Sequence, residues 1–300
     1  MTTAVVFPGQ GSQSVDMLAA FANLPAVTKT FAEASATLGI DMWQIMSDAD
    51  VINRTEITQP LMLTADIALW RAWRERKAIE PSVLAGHSLG EYAALVAAEA
   101  LDFASALELV RTRAECMNAA PPGAMAAILG LDADKVTALC AEAAAGEVLE
   151  PVNFNAPGQI VIAGEASAVA RAIPLAKTYG AKRAIELPVS IASHCSLMRE
   201  PAQKFAAALA ATRFNAPVIT VLSNVDAEPH RLDTVRQSLQ AQLDHPVQWI
   251  ATIEACVRDG VSDFYECGPG KVLVGLGKRI AADARWTALG ERTAFDEVTQ

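Results

Sequence analysis

Between residues 82 and 99 the chain passes from a short apolar run, through a sharp break, into an Ala-rich segment. The run 82–85 is mostly apolar, which is typical of a buried strand, and segment 89–99 repeats its apolar residues at helical spacing. The break is GHSLG, a match to the G-x-S-x-G turn in which a serine lies between a strand and a helix. The pattern therefore predicts that Ser88 is a nucleophile, with backbone N–H groups beside it that can stabilise an oxyanion.

The rest of the larger part of the chain reads as helices and strands in alternation. The periodicity predicts strands at 3–7, 218–223 and 263–267, helices at 17–38, 42–46, 61–73, 102–118, 234–243 and 249–259, and a final helix after the turn at 268–270. Residues 53–60 are predicted to be a polar connection, and roughly the last dozen residues a loosely ordered tail.

Composition changes at the Pro-Pro-Gly of residues 121–123, and the segment that follows has an order of its own. Strands are predicted at 124–129, 148–155, 159–163 and 184–188, and helices at 134–145 and 167–179. Two β-α-β units in so short a segment predict a ferredoxin-like subdomain. We therefore expect an α/β fold in which residues 121–198 form a smaller insertion, while residues 1–120 and 199–300 form the larger subdomain.

Composition and charge narrow the class of protein. Apolar residues make up 52% and charged residues 19% of the 300 residues, as in a globular protein with a full core. The net charge of −10 argues against nucleic acid and anionic membranes as main partners. With no basic leader, no long apolar run and no C-x-x-C pair among five cysteines, we expect a cytoplasmic monomer with reduced thiols and no metal site.

A serine nucleophile needs a base, and four histidines are candidates. His194 ends a polar segment, 189–194, that emerges from a predicted strand where the insertion returns to the larger subdomain. His87 adjoins the serine and is expected to point away from its hydroxyl, His230 is expected to be solvated, and His245 to lie in a turn. His194 is therefore the predicted base, whereas no acid between the serine and this histidine identifies itself as a third triad member.

Two other positions depend on where the predicted elements bring them. Gln10 lies in a Gly-x-Gly turn that lacks the third glycine of a dinucleotide fingerprint and the lysine of a P-loop. The turn either simply ends a strand or brings a backbone N–H and the Gln10 side chain against the elbow. Arg111 and Arg113 are two apart on a predicted helix, so they lie on different faces, and one can be solvated while the other points towards the cleft.

Short motifs recur along the chain in a characteristic order. They are FPGQGSQ at 7–13, TQP at 58–60, GHSLGE at 86–91, NFNAPGQ at 153–159, SH at 193–194, PVQW at 246–249 and YECGPG at 265–270. In sequence and order these motifs resemble those of the malonyl-CoA:acyl carrier protein transacylases, in particular the stand-alone bacterial type of fatty acid synthesis. The resemblance implies an α/β-hydrolase-like larger part with a ferredoxin-like insertion and an active site in the cleft between them.

The resemblance also implies a reaction and a set of roles. Malonyl-CoA and the acyl carrier protein would be the partners, the malonyl group would pass through a serine ester, and neither a cofactor nor a metal would take part. The implied roles are Ser88 as nucleophile, His194 as its base, the backbone N–H groups of Gln10 and Leu89 as the oxyanion hole, Arg113 as partner of the malonyl carboxylate, Gln59 and Asn155 as substrate-binding residues, and Gln242 as the residue whose carbonyl orients the histidine.

Other functions fit part of this pattern. A serine esterase or thioesterase would share the elbow and the histidine, but water would attack its acyl-enzyme and it would have no need for an arginine in the pocket. A carrier-binding scaffold without catalysis is the non-enzymatic alternative, against which stands the joint presence of Ser88, His194 and Arg113. A malonyl transferase of a polyketide or malonate decarboxylase system would use the same residues.

Overall fold

The computed structural model describes residues 2–76 and 79–299 of the chain. Its strands form two separate sheets, one of five strands and one of four. The strands are β1 (Thr2–Phe7), β2 (Val83–Gly86), β3 (Ala124–Leu129), β4 (Leu149–Ala156), β5 (Gln159–Gly164), β6 (Arg183–Glu186), β7 (Thr220–Leu222), β8 (Val261–Glu266) and β9 (Arg285–Ala288).

Helices surround these sheets. They are α1 (Pro25–Leu38), α2 (Met42–Met46), α3 (Thr55–Glu75), α4 (Gly90–Ala97), α5 (Phe103–Asn118), α6 (Ala133–Ala144), α7 (Ala166–Ala176), α8 (Arg199–Ala211), α9 (Val235–Ala241), α10 (Trp249–Arg258), α11 (Val272–Ile280) and α12 (Arg292–Val298), with 3₁₀ turns at Ala19–Phe21 and Ser196–Met198. No helix in the described part of the chain is long and apolar enough to cross a membrane.

The five-stranded sheet is parallel throughout, in the order β7-β2-β1-β8-β9, and helices cover both of its faces. The alternation of side chains along β1 divides the core: Val5 and Phe7 pack with the helices of one face, whereas Ala4 and Val6 pack with α10 and α11 on the other. Because the strands are parallel, their carboxyl ends meet at one edge, which is where ligands bind in folds of this type.

The four-stranded sheet has the order β4-β5-β3-β6, with all its neighbouring strands antiparallel. Its elements follow one another as β3-α6-β4-β5-α7-β6, and both helices pack on one face against an apolar core. This is the ferredoxin-like arrangement expected from the two β-α-β units. The predicted fold class, an α/β-hydrolase-like part with a ferredoxin-like insertion, is confirmed.

The two sheets are joined where β4 passes the larger subdomain. The Phe154 N–H donates to the carbonyl of Val247 at 3.0 Å, and the Val247 N–H donates to the carbonyl of Val152 at 2.8 Å. Arg279 on α11 adds hydrogen bonds to the carbonyl of Pro157 at 2.5 Å and to Gln159 Oε1 at 2.6 Å. These contacts hold the insertion against the carboxyl edge of the parallel sheet.

Three stretches differ from the sequence-based expectation. The first long helix begins only at Pro25, whose fixed φ suits the first helical turn. α3 begins at Thr55, so the expected polar connection is its first turns; Pro60 is accommodated inside this helix. The expected C-terminal tail instead contains α12, which buries Phe295 completely, and the edge strand β9 before it was not predicted. Phe295 packs edge-on against Phe21, and Arg76 and Arg292 add ion pairs to Asp296.

Asp66 is a buried acid in the middle of α3. Its side chain is fully buried, and neither carboxyl oxygen has a hydrogen-bond partner among the described residues. Burial, together with the negative charge of Glu266, raises the pKa of Asp66 well above its ordinary value. Burial also raises the pKa of Glu266 to about 7, although the N–H groups of Leu273 and Val274 donate to it.

We expect Asp66→Asn to stabilise the protein at pH 8 but not at pH 4. A carboxyl group with a raised pKa keeps its proton in the folded state while the unfolded chain releases it, so its cost appears as pH rises above the unfolded value. The gain is about 1.4 kcal/mol for each unit by which the pKa is raised. Urea unfolding at several pH values measures it.

Asp263→Asn is the matched control. A hydrogen bond from Arg285 lowers the pKa of Asp263, so the sign is reversed and this variant loses stability at pH 8. An Asp66→Asn variant whose stability difference does not change with pH would contradict the assignment.

Candidate active site

The elbow brings Ser88 to the carboxyl edge of the parallel sheet in a backbone conformation that few residues adopt. Ser88 has φ 53°, in the left-handed region. Gly86 and Gly90 permit the turn, since a Cβ on Gly86 would overlap the Gly90 backbone and a Cβ on Gly90 would overlap the carbonyl of Phe7. The strained residue is thus wedged between β1 and α4, and its side chain is directed off the end of the sheet.

Ser88 and His194 are in direct contact. Ser88 Oγ lies 2.8 Å from His194 Nε2, and His194 Nδ1 lies 2.7 Å from the backbone carbonyl of Gln242. The carbonyl accepts from Nδ1–H, which leaves Nε2 free to accept the serine proton. His194 itself has φ 67° and is only 3% exposed, so its ring is held by its own backbone and by the loop that carries Gln242.

The protonation of His194 is set by its surroundings. Burial lowers the pKa of this imidazole to about 3, and the positive charge of Arg113 contributes in the same direction. The hydrogen bond to the Gln242 carbonyl opposes the shift without cancelling it. The imidazole is therefore neutral at physiological pH, which is the form that accepts a proton from a hydroxyl group.

Arg113 is buried beside the same hydroxyl, with 1% exposure. Its Nη1 donates to Gln59 Oε1 and its Nη2 to Gln242 Oε1, both at 2.9 Å, and Nη2 lies 3.4 Å from Ser88 Oγ. Its Nε has no partner among the described residues, and burial lowers the pKa of the guanidinium. A buried cation that no carboxylate contacts directly is a site for an anionic group.

Arg111 on the same helix behaves differently. It is half-exposed and pairs with Glu108 on its own helix. The two arginines therefore lie on different faces of α5, as their spacing predicts, and only Arg113 reaches the elbow.

The first turn of the chain packs against the elbow. A Cβ on Gly9 would overlap the His87 carbonyl and lie 3.6 Å from the Leu89 nitrogen, so the backbone leading to Gln10 passes close to the start of α4. Among the described residues, neither the Gln10 nor the Leu89 N–H donates a hydrogen bond. The Gln10 side chain is exposed and makes a long contact of 3.4 Å with Thr55 Oγ1. Two unengaged N–H groups beside a serine are available to an oxyanion.

Asn155 reaches the site from the insertion. Its Oδ1 lies 2.7 Å from Nε2 of His87, whose ring also packs edge-on against Trp249. Asn155 is 9% exposed and lies near the end of β4, so it joins the insertion to the elbow through His87.

Asn224 is a residue of the site that the sequence analysis missed. It is fully buried just after β7, where its Oδ1 accepts from the Ser88 N–H at 2.6 Å and its Nδ2 donates to the Gly86 carbonyl at 2.5 Å. It therefore clamps both sides of the elbow. The signal available in the sequence was a polar pair, Ser223 and Asn224, directly after a buried strand whose carboxyl end faces the site.

The structure places His230 in the interior and His245 at the surface. The expectation that His230 is solvated is wrong: its side chain is fully buried, and its Nε2 lies 2.5 Å from Oε1 of the equally buried Glu91. The sequence beside His230, a proline in a polar loop, does not predict this contact, because only the tertiary fold brings the loop after β7 against α4. His245 is exposed and contacts Asp244.

The described residues contain no group of three or more His, Cys, Asp or Glu side chains that could hold a metal ion. A serine on a strand-to-helix turn, in contact with a neutral histidine and beside unengaged N–H groups, defines an enzyme of the serine acyl-transfer class. The buried guanidinium of Arg113 lies in the same site.

The comparison with known proteins is specific. Residues 4–278 match the acyl transferase domain family. The chain is 51% identical over 299 residues to the malonyl CoA-acyl carrier protein transacylase of Escherichia coli K12, covering 97% of each protein. It is 38% identical to the enzyme of the same name from Staphylococcus aureus MW2, covering 96% of this chain and 95% of the relative. The chain belongs to the acyl transferase domain family and, within it, to the malonyl-CoA–acyl carrier protein transacylases.

Solved structures agree. An acyl carrier protein S-malonyltransferase from Vibrio cholerae superimposes with a TM-score of 0.95 at 47% identity, covering 99% of this chain and 100% of that one. A malonyl-transacylase in complex with a type II polyketide acyl carrier protein superimposes with a TM-score of 0.97 at 43% identity, covering 100% of this chain and 99% of that one.

We expect the His194 imidazole to remain neutral at pH 5 and its pKa to rise when Arg113 is replaced by Ala. Removing the cation removes one cause of the lowered pKa, while burial, the larger cause, remains. NMR titration of the imidazole nitrogens measures both effects. Arg111→Ala is the control, because that guanidinium already pairs with Glu108 on another face of the helix. Charging of His194 near pH 6.5 in the wild type would contradict this account.

Proposed function

We propose that this chain transfers a malonyl group from CoA to the phosphopantetheine thiol of an acyl carrier protein, through a malonyl ester of Ser88. The observation that carries the proposal is the position of Arg113, whose Nη2 lies 3.4 Å from the hydroxyl that contacts His194. A nucleophile and a buried guanidinium within one site suit an acyl group that carries a second carboxylate. The names of the relatives point to the same acyl donor and acceptor.

The first half of the reaction forms the ester. His194 Nε2 accepts the Ser88 proton as Oγ attacks the thioester carbonyl, and the N–H groups of Gln10 and Leu89 donate to the oxyanion. The Gln242 carbonyl holds the His194 ring in the tautomer that this step requires, and its oxygen stabilises the positive charge that develops on the ring. The C–S bond then breaks, His194 returns the proton to the leaving thiolate, and CoA departs.

The second half of the reaction uses the same groups in the reverse sense. The carrier's thiol gives its proton to His194 and attacks the ester carbonyl, the oxyanion hole is used again, and Ser88 Oγ leaves with that proton. Transfer instead of hydrolysis requires that the thiol reach the ester before water does, which the burial of His194 favours.

Selectivity for malonyl resides in Arg113. A planar guanidinium meets a carboxylate with two parallel hydrogen bonds, and Gln59 and Gln242 hold it in one plane for this contact. An acetyl group would leave the buried cation with its amide partners but without a carboxylate, which costs about 1–3 kcal/mol or more for a charged group. Asn155 is assigned to the same pocket on the insertion side, where it fixes His87.

We propose that the enzyme supplies fatty acid elongation, as a cytoplasmic monomer without a cofactor, and that residues 121–198 act as one subdomain against 1–120 and 199–300. The two separate sheets support this division, because β3 to β6 fall within the insertion and the parallel strands fall outside it. The structural likeness to a transacylase bound to a polyketide carrier makes polyketide synthesis the second candidate pathway.

We expect intact mass spectrometry to detect a malonyl adduct on the wild type after brief incubation with malonyl-CoA, and none on Ser88→Ala. Addition of carrier protein should discharge the adduct onto the carrier thiol. Release of free malonate, with no transfer to the carrier, would instead identify a thioesterase. A wild type that forms no adduct and consumes no malonyl-CoA would identify the chain as a carrier-binding scaffold without catalysis.

We expect Arg113→Ala to lose most of its preference for malonyl-CoA over acetyl-CoA. The preference should fall at least tenfold, the equivalent of about 1.4 kcal/mol, because the mutant no longer pairs the carboxylate and no longer penalises its absence. Competing acyl-CoA substrates and adduct masses provide the measurement. Arg111→Ala is the control on the same helix and should keep the wild-type ratio; an unchanged ratio in Arg113→Ala would refute the assignment of the pocket.

A further inference from the structure

Gln242 is the point at which the machinery of the site converges. Its carbonyl accepts from His194 Nδ1 at 2.7 Å, its Oε1 accepts from Arg113 Nη2 at 2.9 Å, and its Nε2 donates to the Ser88 carbonyl at 2.9 Å. One fully buried residue therefore contacts the base through its backbone carbonyl, and the guanidinium and the backbone of the nucleophile through its side-chain amide. Whatever holds Gln242 holds all three.

Glu91 holds Gln242. It lies in the first turn of α4, three residues after the nucleophile, and its side chain is fully buried. Its Oε2 accepts from Gln242 Nε2 at 2.5 Å. Because a carboxylate oxygen accepts and a guanidinium only donates, the side-chain amide of Gln242 has one orientation that satisfies both neighbours, with Nε2 towards Glu91 and Oε1 towards Arg113.

His230 completes the arrangement from the other side. Its Nε2 lies 2.5 Å from Glu91 Oε1, so each carboxylate oxygen has one partner. Burying a carboxylate without hydrogen-bond partners is costly. His230, on the loop after β7, is the partner of Glu91 Oε1. The His230 backbone is itself tied to β7, with its N–H donating to the Val221 carbonyl at 2.8 Å.

We propose that Glu91, supported by His230, is a positioning residue of the acyl transfer, which acts by orienting Gln242 and through it His194 and Arg113. This role rests on the proposed function. It also gives a use to the acid of the GHSLGE motif, which the nucleophile elbow leaves unexplained. The carboxylate thus acts one residue further from the imidazole than the acid of a Ser-His-Asp triad.

The test is the rate constant of acyl-Ser88 formation at saturating malonyl-CoA, followed by rapid quench and intact mass. We expect Glu91→Gln to reach nearly full adduct amplitude with a rate constant lowered by about ten- to hundredfold, because the glutamine is uncharged and its single amide oxygen accepts from only one of Gln242 and His230. A merely structural role would lower the amplitude, which counts folded molecules, and leave the rate constant of those molecules unchanged.

Variants of His230 keep the test decisive if Glu91→Gln folds poorly. In His230→Gln the amide can still donate to Glu91 Oε1, so we expect a rate constant close to that of the wild type. In His230→Leu the donor is lost, and we expect a decrease like that of Glu91→Gln.

Glu266→Gln is the matched control. Glu266 is equally buried, but it accepts from the N–H groups of Leu273 and Val274 on α11. It should keep the wild-type rate constant. Wild-type rate constants in both Glu91→Gln and His230→Leu, or losses confined to amplitude, would overturn the role of Glu91 and leave the proposed function standing. A wild type that forms no malonyl adduct would overturn the proposed function, and the role of Glu91 with it.

Discussion

The close approach of three backbone segments at the carboxyl edge of the parallel sheet is the constraint on which the rest of the site depends. The His87 N–H donates to the carbonyl of Phe7 at 2.9 Å, which brings the end of β1 onto the elbow after β2. Asn224 then joins the end of β7 to the same turn. Glycine at 86 and 90 makes the approach possible, because any side chain there would overlap backbone. The left-handed conformation of Ser88 persists because its neighbours on both sides determine it.

A second constraint is the burial of charge. Arg113 lies in the interior with amide oxygens and an aromatic ring, that of Tyr92, as its immediate partners, and the centre of its guanidinium is 5.6 Å from the ring centroid. The nearest compensating negative charge is Glu91, on the far side of the Gln242 amide. Such an arrangement keeps the cation in the fold without direct pairing to a carboxylate of the described residues.

The insertion contributes more than a wall to the cleft. His194 stands where the chain returns from the insertion, and its N–H donates to the Leu243 carbonyl at 3.0 Å, so the base is anchored on the larger subdomain. Asn155 reaches across in the opposite sense to His87. The base is therefore held at the nucleophile by the larger subdomain, while Asn155 adds a contact from the insertion to the elbow.

Local patterns in the sequence determined the helices and strands and the candidate nucleophile on the turn between two of them. The elbow, the two β-α-β units and the separation of Arg111 from Arg113 follow from strand and helix periodicity, which is a property of neighbouring residues. The ordered motifs added the family and, through it, the roles of Gln10, Leu89, Gln59, Asn155 and Gln242. What the sequence could not reveal is contact between segments far apart in the chain: Asn224 on the elbow, His230 on Glu91, and Phe295 packed into the core. Only the tertiary structure decided these, because burial and pairing of a polar side chain depend on which other strand or helix lies against it, and no local pattern carries that information.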